Sequence, residues 1–80
     1  MLKVILKCHG SGDCRRVNLV LAKYDIPILK TTESSWSIDR RITIVVFDYA
    51  LLNKILFETN QNTLNDVQVV KVKQLKEKKK

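Results

Sequence analysis

Nowhere in this chain do apolar residues run for the roughly 20 positions that a membrane-spanning helix needs. The opening MLKVILK has neither the long apolar region nor the small-residue cleavage site of a secretory signal. A cytoplasmic protein is therefore expected. Cysteine is scarce: two residues and no export signal argue against a structural disulfide in a reducing compartment. Cys8, His9 and Cys14 are also too few for a structural zinc site, which takes four ligands, and the adjacent Cys8 and His9 would point to opposite sides of an extended chain. No metal is expected. Catalytic signatures are missing as well. There is no Ser/His/Asp constellation in a recognisable local motif, the acidic residues are scattered among caps and loops, and the P-loop spacing with its Lys-Ser/Thr ending is absent. A non-enzymatic role without a cofactor follows as the first expectation.

What is present suffices for one small domain. Eighty residues, 45% of them apolar, are enough to fold, but a chain of this size buries only about 60–65% of its unfolded surface and leaves little room for a large catalytic cleft. The net charge of +7 is unevenly spread. Residues 1–70 hold nine Lys and Arg against seven Asp and Glu, whereas residues 71–80 hold six Lys against one Glu. The tail KVKQLKEKKK is thus either an electrostatic arm for phosphates or a solubilising terminus. Lysine outnumbers arginine eleven to four, a bias compatible with an AT-rich genome such as that of a phage or another mobile element.

Periodicity supplies the elements. LKVILK (2–7) alternates, with Leu2, Val4 and Leu6 on one face and Lys3, Ile5 and Lys7 on the other, as in a half-buried strand. From Asp13 the spacing becomes helical through Val17, Val20, Leu21 and Tyr24, with Ser11 or Asp13 as cap and Pro27 as stop. PILKTT reads as a short edge strand, and TESSWSID as a loop whose Trp36 either anchors over the core edge or stands exposed for stacking. RRITIVVFD (40–48) has the near-continuous β-branched run of a central strand covered on both faces. Asp48 then caps a second helix carrying Leu51, Leu52, Ile55, Leu56 and Thr59. VQVVKVKQL (67–75) alternates again as a final strand. The order strand, helix, strand, strand, helix, strand predicts a ferredoxin-like α+β sandwich, in which a four-stranded antiparallel sheet carries both helices on one face. Residues 1–75 form that domain and residues 76–80 a basic tail.

The densest local signal is KCHGSGDC (7–14), between the first strand and the first helix. Cys8, Gly10 and Gly12 after a strand resemble the phosphocysteine loop of the sugar-specific B subunits of bacterial phosphotransferase systems, over about twenty residues. SGDCRRVNLVLAKYDIPIL is similar to the active-site region of glutaredoxins, with Ser11 and Cys14 in the two positions of a Cys-x-x-Cys motif. That resemblance implies a thiol oxidoreductase or redox sensor centred on Cys14, with Cys8 as the second thiol. It departs from the family where Ser11 stands in place of the nucleophilic cysteine. The purely structural reading makes Gly10 and Gly12 the hinge of a tight turn, Cys8 and Cys14 small buried residues, and His9 a surface side chain.

If both helices cover one face of the sheet, the other is open. Period two puts Lys3, Ile5 and Lys7 there, with Val69, Lys71 and Lys73 from the neighbouring last strand and Arg41, Thr43 and Val45 beside them, while Val70 and Val72 face the helices. Lys76 and Lys78 continue the charge into the tail. This basic face implies an anionic partner, RNA, DNA or an acidic protein surface. RITIVVFDYALLNKILFETN resembles in shape the third strand and second helix of an RNA-recognition motif, although Ile42 and Ile44 stand where that family places stacking aromatics. Two further expectations share the surface: a mobile-element inhibitor acting by protein–protein contact there or at the second-strand edge, and a homodimer joined through the open sheet.

Overall fold

The structure is a computed structural model and describes residues 1–33, 39–61 and 67–75. In chain order the elements are β1 (Leu2–His9), α1 (Gly10–Lys23), β2 (Lys30–Glu33), β3 (Asp39–Val46), α2 (Tyr49–Thr59) and β4 (Gln68–Gln74). The strands make one antiparallel sheet ordered β2-β3-β1-β4, the ferredoxin-like sandwich expected from the element order.

The alternation in β1 and β3 decides which side the helices cover. Leu2, Val4, Leu6 and Cys8 are buried, as are Ile42, Ile44 and Val46, and they join Val17, Val20 and Leu21 of α1 and Leu52 and Ile55 of α2 in a single core. Fully burying an aliphatic side chain of this size contributes about 1.5–3 kcal/mol, so this layer carries most of the stability. The intervening residues Ile5, Thr43 and Val45 are only half-buried. β3 is thus covered on one face rather than two, because the helices that would shield its other side lie with the first layer.

β1 runs into α1 with no intervening loop. Gly10 takes φ 75°, a left-handed conformation that favours glycine, and its neighbour His9 is the N-cap without a side-chain capping bond. Ser11 and Asp13, the expected caps, lie inside the helix instead. Gly12 needs no such freedom, since a Cβ there would meet nothing within 4 Å. The far end of α1 closes before Pro27. Asp25 adopts φ 58°, and Ile26 N–H donates to the Leu21 carbonyl at 2.9 Å while Asp25 N–H donates to that of Ala22 at 3.1 Å. This Schellman motif buries Ile26 against Leu21, so the backbone stop comes two residues ahead of the proline. β2 accordingly starts at Lys30, three residues later than PILKTT suggested.

α2 is capped as expected, the Asp48 carboxylate accepting from Leu51 N–H at 3.0 Å. Its buried Thr59 donates to the Ile55 carbonyl at 2.6 Å, and no buried side-chain N or O among the described residues lacks a partner. The two helices are tied at their C-terminal ends by Glu58, which accepts from Lys23 Nζ at 2.8 Å and from the Tyr24 hydroxyl. The Lys23 bond first, and the Tyr24 bond after it, hold the Glu58 carboxyl below its ordinary range, and the same contacts raise Lys23 and Tyr24. Beyond α2, Asn60 grips Val67 with both ends of its amide: Oδ1 accepts from Val67 N–H at 2.6 Å and Nδ2 donates to Val67 O at 3.3 Å. β4 thus has a fixed origin.

The ladder between β1 and β4 contains one irregularity. Ile5 lies opposite Lys71, but Leu6 lies opposite Val69, so Val70 is the extra residue of a β-bulge. The bulge reverses the expected facing of Val69, whose partner Leu6 belongs to the covered side. Trp36 and the tail lysines lie outside the described residues.

Candidate functional site

Three rows of side chains cross the open face, each set by the register of the ladders. The first places Val45 opposite Lys3 and Lys3 opposite Lys73; the second runs Lys30, Thr43, Ile5, Lys71; the third runs Thr32, Arg41, Lys7, Gln68. Lys3, Lys7, Arg41, Lys71 and Lys73 therefore share one surface, as the period-two reading required. Lys76 and Lys78 lie outside the described residues. Lys30 completes the set and was not singled out from sequence. The only signal that could have found it was the pairing of Lys30 with Thr43, which depends on where β2 begins.

Two of these rows set like charges side by side. Lys3 faces Lys73 and Lys7 faces Arg41 in directly opposed positions, an arrangement that destabilises a sheet. Lys7 has partial relief from Asp39 Oδ2 at 3.7 Å, and His9 Nδ1–H donates to Asp39 Oδ1 at 2.6 Å, the tautomer that a carboxylate acceptor requires. By contrast, Lys3, Lys30, Arg41, Lys71 and Lys73 form no ion pair with another described residue. Arg40 takes no part: it lies opposite Cys8, on the covered side, and its Nε pairs with Glu33 at 3.2 Å. The face is thus a positive field over a strip of Ile5, Thr43 and Val45, with the Asp39 carboxylate at its Lys7 end.

Cys8 and Cys14 lie on the other side of the sheet. Contrary to expectation they are joined in a disulfide, with their Cα atoms 5.3 Å apart. The reason is geometric. Cys8 occupies the covered face of β1, α1 starts two residues later with no loop, and its first turn brings Cys14 back over the strand end within bridging reach. With Cys8 and Cys14 only 1% and 2% exposed, the bond is a staple between strand and helix rather than an accessible thiol pair. Among the described residues no group of three His, Cys, Asp or Glu side chains converges as a metal site would require, and no helix is long and apolar enough to cross a membrane.

No protein-family model matches the chain, and no curated protein does.

Proposed function

We propose that the protein is a small non-enzymatic binding module that works in the cytoplasm and holds the phosphate backbone of a nucleic acid on its open sheet face. The observation that carries this reading is the convergence of six cations on one side of the sheet, two pairs of them in direct opposition. Like charges placed face to face cost stability in the free protein, and a polyanion laid across them converts that cost into attraction. β4 ends beside the start of β1, where Leu75 N–H donates to Met1 O at 2.9 Å, and Lys76 and Lys78 come next in the sequence. Both cysteine sulfurs are shielded, which slows their exchange with the thiol pool of such a compartment.

Fluorescence anisotropy with labelled RNA and DNA at several salt concentrations tests the proposal. Binding should weaken steeply with salt, and K3Q/K73Q should flatten the log–log slope by about 0.7 for each phosphate contact removed. Absence of binding at low salt overturns the reading. Tight binding to an acidic protein without any to nucleic acid reassigns the surface to a protein partner, and concentration-dependent dimerisation that K3Q/K73Q strengthens reassigns it to a second copy of the chain.

A further inference from the structure

The open face does not end at Lys3. Phe47 follows Val46, the last residue of β3, two positions after Val45 of the open-side series Arg41, Thr43, Val45; it is 71% exposed, the highest value among the large apolar residues described. The same end of the sheet carries the exposed Met1, whose carbonyl extends the β1–β4 ladder to Leu75. Val46 is opposite Leu2, and Val45 is opposite Lys3, which faces Lys73. Phe47 therefore comes two residues after Val45, the partner of Lys3, which is about 7 Å of extended chain beyond the Lys3–Lys73 row. The neighbouring Asp48 carboxylate is taken up by the first turn of α2, where it accepts from Leu51 N–H.

An exposed aromatic ring next to a cation row is the combination that binds a base by its face and the adjoining phosphates by charge. Lysines alone would serve duplex, single strand or acidic peptide equally. The ring discriminates among them, because a duplex keeps its base faces stacked inside and an acidic peptide offers no base at all. From Phe47 to the Arg41–Lys7 row is six residues of extended chain, about 20 Å, room for several nucleotides of an extended strand.

Resting on the polyanion reading above, we propose that the face takes single-stranded nucleic acid, with one base stacked on Phe47 and the adjacent phosphates on Lys3 and Lys73. The test compares the wild type, F47A and K3Q/K73Q for binding to a single-stranded oligonucleotide, the matching duplex, heparin and polyglutamate. The wild type should prefer the single strand. F47A should lose on the order of 5- to 150-fold in affinity for it while keeping its salt slope and its affinity for heparin. K3Q/K73Q should weaken every polyanion. F57A is the control, since Phe57 is comparably exposed at 69% but sits on α2, in the helix layer on the other side of the sheet; it should bind like the wild type. If F47A binds all four ligands as the wild type does, or if polyglutamate or duplex binds as tightly as the single strand, the stacking proposal is wrong while the polyanion reading stands. If the wild type binds none of the four, both are wrong.

Discussion

Leu2, Val4 and Leu6 on one side of β1 and Lys3, Ile5 and Lys7 on the other differ by a single step along the backbone, yet the two sets work against each other energetically. The first set is buried in the core beneath the helix layer, where each side chain adds to stability. The second carries like charges in opposed positions and half-exposed aliphatics, which subtract from it or add little. The covered face therefore has to hold the domain together for both. A sheet that could have paired Lys3 with a carboxylate across the strand, and does not, keeps a positive surface at the expense of its own stability.

The sharpest way to break this contrast is to truncate one residue on each side. Ile44→Ala should remove about 3–5 kcal/mol in urea denaturation, whereas Ile5→Ala, half-exposed on the opposite side, should cost about 1 kcal/mol. Equal losses would mean that the open face is packed after all. Next in size is the staple on the covered side. Replacing both cysteines by alanine, or reducing the bond, should lower stability by about 2 kcal/mol, the contribution of a short closed loop in the unfolded chain, and should leave polyanion affinity unchanged because both sulfurs face away from the lysines. K3Q/K73Q should instead raise the unfolding midpoint, with a gain of about 0.2–1 kcal/mol as affinity falls. A loss of stability in that variant would show that the opposed lysines are not in conflict.

The smallest effect concerns the helix layer alone. Glu58 is held below its ordinary carboxylate range in the folded protein, so its contribution is present above the unfolded carboxyl pKa and disappears as pH falls through the lowered folded value. Lys23 and Tyr24 are raised, so theirs disappears at the opposite, alkaline end. In Glu58→Gln the acid limb of the stability profile should flatten slightly and the binding curve should not move. A shift in binding would connect the helix layer to the open face.

Much of this contrast was legible in the residues themselves. Period-two alternation in LKVILK and VQVVKVKQL puts Lys3, Lys7, Lys71 and Lys73 on one face with Arg41 beside them, five of the six cations on the open side, whereas the near-continuous run RRITIVVFD suggests cover on both faces that β3 does not have. The features that escaped depend on three-dimensional register or backbone angle rather than on pattern. Lys30 escapes the pattern because a Schellman stop at Asp25, with no glycine to announce it, comes before the proline, and β2 begins only at Lys30. Alternation alone puts Val69 on the open side, because a bulge leaves no mark in an alternating sequence. Compartment and cysteine count argue against the disulfide, whereas the deciding facts are that Gly10 permits a turn without a loop and that one helical turn returns the chain to its starting strand. Phe47 stands near the end of the strand-like run RRITIVVFD, where nothing in the pattern announces its exposure.

The bulge at Val70 has a bearing on assembly. An outermost strand with regular, unpaired backbone groups invites another molecule to add itself to the ladder. Here one rim of the sheet is kinked at Val70 and lined with lysine, and the other is the four-residue β2, with Lys30 and Glu33 at its ends. Neither rim is a good template for growth. Molecules brought to high local concentration would not fuse edge to edge into a continuous ribbon.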